Sequence, residues 1–102
     1  MESIYGNFTD EQFAEYKTKL HSKIHWLLVY KEENYGLDVL LNYFDTVMCY
    51  IGSLNEMFKC NPLIIDLLAT LQVSLDELKK QNFSFKIYRK NILEAHSIID
   101  RL

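Results

Sequence analysis

Between Leu40 and Phe58 the apolar residues fall at Leu40, Phe44, Val47, Ile51, Leu54 and Phe58, spacings that alternate four and three. A strand would need a period of two, so this alternation demands a helix that buries one stripe against neighbours at a shallow crossing angle. Leu37, Leu41 and Met48 widen the stripe on one side, and Val39, Tyr43, Tyr50 and Met57 widen it on the other. What remains polar is a strip of Asn42, Asp45, Cys49, Gly52, Ser53 and Glu56. A helix this apolar is central in its bundle or contacts another chain.

Three further segments repeat the pattern. The first runs from Asp10 to Lys31, with Thr9 and Gln12 forming a capping box, Phe8 and Phe13 placed as a hydrophobic staple, and Asp10 and Glu11 at the positive helix end. Its stripe is Phe13, Tyr16, Leu20, Ile24, Leu27 and Leu28, and it stops in the Glu32 to Gly36 stretch. Asp38 is the expected N-cap of the second helix, which runs to Phe58. Asn61-Pro62 starts the third, since asparagine caps well and proline at the first helical position gives up an N–H that had no partner. The third stripe is Ile64, Leu67, Leu68, Leu71, Leu75 and Leu78, but Ser74 and Glu77 offer a second capping box inside it. A continuous helix and a helix broken near Ser74 both remain open. Asn82 or Ser84 caps the fourth helix, whose stripe is Phe85, Tyr88, Ile92, Ala95, Ile99 and Leu102.

Helices joined by short connections lie beside their sequence neighbours in alternating directions. The expected fold is all-α, an antiparallel up-down-up-down four-helix bundle in a single domain, 1–102, with an amino-terminal arm at 1–8. A chain of 102 residues holds one core, and 49% apolar residues with three glycines and one proline exclude a disordered class.

Charge and cysteine content bound the partners. A net charge of -3 gives a field that repels phosphate, so nucleic acid is not an expected partner, and Lys86, Arg89 and Lys90 read as a solvated face. No apolar run approaches the roughly 20 residues that cross a bilayer, and the first ten residues do not resemble a secretory signal. A cytoplasmic location is expected. Cys49 and Cys60 are too few for a disulfide framework and read as free thiols.

One stretch, NPLIIDLLATLQVSLDELKK from Asn61 to Lys80, resembles the carboxyl-terminal two helices of the lambda-repressor-like helix-turn-helix family, where a proline-led helix ends in a Val-Ser-Leu-Asp-Glu-Leu restart. The resemblance covers about a fifth of the chain. It implies a break at Ser74 and brings in a transcriptional regulator as a third functional reading. The residues upstream lack that family's Gln-x-x-(Leu/Ala)-Ala helix and basic recognition positions, so the resemblance does not carry DNA binding with it.

Two constellations point towards function. His21 and His25 stand one helical turn apart, so both imidazoles can reach one ion, and antiparallel packing brings His96 to the height of His21. Glu15 and Glu94 are the carboxylates that would complete such a metal set. No nucleophile lies in a catalytic signature, no glycine-rich loop could cradle phosphate, and no enzyme activity or cofactor is expected. The second constellation is surplus apolar surface: Trp26, Val29 and Tyr30 on the first helix, Val39, Tyr43, Tyr50 and Met57 on the second, and Ile87 and Ile98 on the fourth. The Trp, Tyr and Met among them are of residue types enriched at protein interfaces. The leading expectation is therefore a small non-enzymatic interaction or regulatory module that self-associates through Tyr/Trp-rich faces, with a C2 homodimer as the default. A metal- or ligand-binding bundle using His21, His25 and His96 is the alternative.

Overall fold

The structure, a computed structural model, describes residues 2–3, 6–7, 9–33, 35–58 and 61–102. A two-residue antiparallel ladder pairs β1 (Glu2–Ser3) with β2 (Gly6–Asn7). Then follow α1 (Asp10–Glu32), α2 (Leu37–Met57), α3 (Pro62–Leu78) and α4 (Phe85–Arg101). Phe8, Asn34, Lys59 and Cys60 lie outside the described residues, so the staple at Phe8 and the thiol at Cys60 do too.

Helix packing closes a ring in which α1 lies on α2, α2 on α3, α3 on α4 and α4 back on α1. Directions alternate around it. Phe13 early in α1 meets Phe58 just past the end of α2, while Tyr30 late in α1 meets Tyr43 early in α2. Lys17 likewise reaches the Asp100 carbonyl at the end of α4, and Leu27 meets Tyr88 near its start. This is the antiparallel four-helix bundle expected from the spacing. α3 and α4 make the most extensive pairing, and they contribute Ser74 and Ala95, the smallest fully buried side chains of the interior. Small residues at a contact allow helix axes to approach closely.

Local chemistry places most helix ends. The Thr9 hydroxyl accepts from the Gln12 backbone N–H at 3.1 Å and the Gln12 side chain accepts from the Thr9 N–H at 3.0 Å, a complete capping box. The Asn61 side chain accepts from the Leu63 N–H at 2.9 Å, and Ser84 caps α4 through the Ile87 N–H. At α2 the expectation needs correction: Gly36 is the N-cap and makes no side-chain bond, while Asp38 sits in the first turn. There its charge still favours the positive helix end.

α3 is one continuous helix, so the break near Ser74 does not occur. Ser74 is fully buried and its hydroxyl donates to the Thr70 carbonyl one turn back at 3.2 Å, which satisfies it without opening the helix. Its would-be capping partner Glu77 turns instead towards the next connection. The feature on which the helix-turn-helix resemblance rested, a restart at Ser74, is therefore not formed.

The core follows the sequence stripes closely. All six α2 positions, Leu40, Phe44, Val47, Ile51, Leu54 and Phe58, are buried. In α1 the buried positions are Leu20, Ile24 and Leu27, with Phe13, Tyr16 and Leu28 packed at the margin. Tyr88, Ile92, Ala95 and Ile99 fill the α4 side, whereas Phe85, expected to open that stripe, is exposed in the first turn of the helix. The Tyr88 hydroxyl, sunk in this interior, donates to the Leu27 carbonyl at 2.8 Å, and burial pushes its pKa well above the usual phenol range. Among the described residues no helix is long and apolar enough to cross a membrane.

Candidate functional site

Antiparallel packing of α1 on α4 brings His21 and His96 together. Their Nδ1 atoms are 2.7 Å apart and the rings lie nearly parallel, 11° between planes with centroids 5.0 Å apart. On the far side of the His21 ring, Nε2 lies 2.9 Å from an Asp100 carboxylate oxygen. With both rings neutral, one arrangement satisfies every contact: His21 Nε2–H donates to Asp100, which leaves His21 Nδ1 bare to accept from His96 Nδ1–H. Protonating both rings would place two N–H groups head to head across 2.7 Å. The pair therefore resists double protonation. His96 accordingly has its pKa held below the usual histidine value, first by burial and then by the charges of His21 and His25, with Asp100 opposing them.

This geometry differs from the expected metal set. His25 is exposed and turns its ring edge to Trp26 rather than to His21. Glu94 pairs with Arg101 at 3.4 Å, and Glu15 lies with Gln12, Tyr16 and Lys19 around a separate cleft. Asp100 joins the histidines, but at Nε2, opposite the nitrogen that faces His96, so the three groups form a line rather than a cage. Among the described residues no three His, Cys, Asp or Glu side chains are grouped to hold a metal ion. His21, His25 and His96 thus do not converge as ligands. Sequence reasoning missed Asp100, although it follows His96 by four residues, a spacing that puts both on one helix face.

The aromatic residues gather at the α1–α2 end of the bundle. Tyr30 is their hub: its ring centroid lies 5.6 Å from Trp26, 4.9 Å from Tyr35 and 5.0 Å from Tyr43, the last two edge-on. The Tyr35 backbone N–H donates to the Tyr30 carbonyl at 3.0 Å, which folds the connection back and holds Tyr35 against the hub. Trp26 and Tyr35 remain 45% and 51% exposed, and Leu37 and Val39 in the first turn of α2 are also exposed.

Other proposed contact residues are consumed within the chain. Tyr43 donates to the Lys23 carbonyl at 3.0 Å, and the Lys23 ammonium sits 4.8 Å from the Tyr50 ring centroid. These two tyrosines therefore fasten α2 to α1. Burial raises both of their pKa values, assisted by Tyr30 at Tyr43 and by Tyr16 at Tyr50. Ile98 is buried in the core, a correction to its placement on an outer line: α4 has two inward neighbours, α1 and α3, and its buried face is wide enough to take both Ile98 and Ile99. Val29 is half-buried, Ile87 is exposed, and the Met57 side chain lies outside the described residues. Tyr35 is the member of the patch that periodicity overlooked, because it belongs to a connection; Leu37, expected to widen the α2 stripe, is exposed in the first turn of that helix. Comparison with known protein families, curated proteins and solved structures finds no match.

Proposed function

We propose that the chain is a small non-enzymatic helical interaction module that self-associates or binds a protein partner through the aromatic patch at the α1–α2 end. The observation that carries this reading is the contiguous contact series Trp26, Tyr30, Tyr35, with the outer two rings about half exposed. Large rings held by one another lose little conformational freedom on docking, which is why such residues dominate binding energy at interfaces. Tyr30 holds the two outer rings from the centre of the patch, and Tyr43 backs Tyr30, whereas Tyr50 serves the α1–α2 contact through Lys23. A C2 arrangement uses one self-complementary patch and is the simplest form of self-association. A cytoplasmic location belongs to the same reading and accords with the exposed free thiol of Cys49.

Sedimentation combined with Trp26 fluorescence tests it. Association should shift Trp26 emission to the blue and protect it from acrylamide as the mass rises, and Trp26→Ala together with Tyr35→Ala should lower the mass. A rise in mass that leaves Trp26 fully quenchable, or a double variant that associates as the wild type does, would overturn the patch as the contact surface.

A further inference from the structure

Charge is distributed unevenly around the ring of helices. α2 carries Asp38, Asp45 and Glu56 and no lysine or arginine between residues 37 and 57. These acids are separated by seven and eleven residues, which at about 100° per residue is close to two and three whole turns, so they form one straight exposed line. α3 adds the exposed acids Asp66 and Asp76 and likewise has no basic residue between 62 and 78. α4 is the reverse. Its first nine residues hold Lys86, Arg89 and Lys90, all exposed, and no acid, with Leu93 exposed one turn further on. These four side chains, with Glu94 at one end, line a shallow cleft along the outer surface of α4. None of the three bases enters an ion pair among the described residues, and neither do Asp38, Asp45 or Glu56.

α2 and α4 are diagonal in the ring, so their outer surfaces face opposite ways. The acidic line and the basic strip of one molecule are too far apart to neutralise each other. A second copy presents the complementary charge to each. We propose that copies of this chain associate head to tail, the Lys86, Arg89 and Lys90 strip of one, about 6 Å long, seated on the Asp38 and Asp45 end of the acidic line of the next. The contact is heterologous, so each added copy leaves one acidic and one basic face free, and opposed faces extend an open chain rather than close a dimer. It shares with the function proposed above the premise of self-association but uses a different surface.

Sedimentation across micromolar to millimolar protein tests this at about 0.01 M and about 1 M salt, where the screening length falls from about 30 Å to about 3 Å. Low salt should give a mass that grows with concentration past twice the monomer, and high salt should abolish that growth, leaving no species larger than the aromatic patch supports. Lys86→Glu/Arg89→Glu/Lys90→Glu makes both faces acidic, and Asp38→Lys/Asp45→Lys/Glu56→Lys makes both basic. Each alone at low salt should lose all growth beyond the species that the aromatic patch supports, with unchanged helicity by circular dichroism, and mixing the two should restore the growth. All six positions are exposed; if the α2 variant loses helicity, the pair Asp45→Lys/Glu56→Lys, away from the first turn, takes its place. A wild type that is monomeric at low salt, or single-face variants that associate as the wild type does, would overturn the proposal. So would failure of the mixed variants to associate. If association instead disappears with Trp26→Ala and Tyr35→Ala but survives charge reversal, the aromatic patch is the interface and the head-to-tail contact is wrong. Wild-type binding to anionic phosphatidylserine vesicles that the α4 variant loses, without any self-association, would assign the strip to a lipid surface and also overturn it.

Discussion

Glu77 and His96 are both ionisable groups drawn into the bundle, at opposite ends of the seams that α4 makes with its neighbours, and their surroundings differ in one decisive respect. Glu77, at the end of α3, is only 3% exposed yet completely partnered: one carboxylate oxygen accepts from the Ser84 backbone N–H at 2.9 Å and the other pairs with the Lys80 ammonium at 3.0 Å. It ties the end of α3 to the N-cap of α4, so the charge is part of how the connection is built. His96 faces another histidine, and two Nδ1 atoms 2.7 Å apart can hold one proton between them. The first group is stable as an ion. The second meets a like partner, so the pair cannot carry a charge on both rings. A buried charge is tolerated where its hydrogen bonds are complete, and a shared proton makes a joint whose fit depends on pH.

Removing Glu77 should therefore have the largest effect. Glu77→Ala leaves the Ser84 N–H without its acceptor and frees the α3–α4 connection, and urea denaturation should show a clear loss of stability, with Glu77→Gln recovering part because the amide oxygen can still accept. Acid should act in the same direction. The Ser84 hydrogen bond, followed by Lys80, holds the Glu77 pKa below the usual carboxylate value, although burial opposes them. Its contribution is thus complete above the unfolded pKa of about 4.3 and is lost as pH falls through the lower folded value. If Glu77→Ala is as stable as wild type, the contrast with His96 collapses.

Tyr88→Phe comes next. It deletes the hydroxyl that bridges α4 to the Leu27 carbonyl while keeping the ring, and should cost about 1 kcal/mol in chemical denaturation.

The histidine joint should show itself as a pH dependence at higher pH than Glu77. His96 has a lowered folded pKa, so its contribution is present above the unfolded value of about 6.5 and declines as pH falls below it towards the folded pKa. Thermal melts between pH 7.5 and 5.5 should lose stability in wild type and lose less in His96→Gln. Equal slopes in the two proteins would mean that the pair does not couple protonation to folding.

The smallest effect on stability is expected at Trp26. Trp26→Ala removes an exposed ring and should change stability by no more than about 0.5 kcal/mol, while still weakening association through the patch. A large destabilisation would show that the ring belongs to the fold rather than to a contact surface.

Capping and spacing are legible in the chain itself because both act locally. Thr9, Asn61 and Ser84 act within three residues of themselves, and the α2 stripe from Leu40 to Phe58 is buried at every position that its period marks. Ser74 and Glu77 mislead for the same reason: their spacing satisfies a capping box locally, but packing across that point keeps α3 whole and sends Glu77 to Ser84. The height match between His21 and His96 follows from antiparallel topology, whereas the role of Asp100 and the turning away of His25 depend on helix rotation.

The helices, their order and the residues that must face inward are thus written in the amino acids alone, because periodicity and caps act over a few residues. Tertiary packing decides which extra aromatics are shared between α1 and α2 and which stay exposed, how Ile98 enters the core, and that two histidines meet nitrogen to nitrogen. These outcomes depend on the rotation and level of one helix against another, settled by close packing over the whole interior.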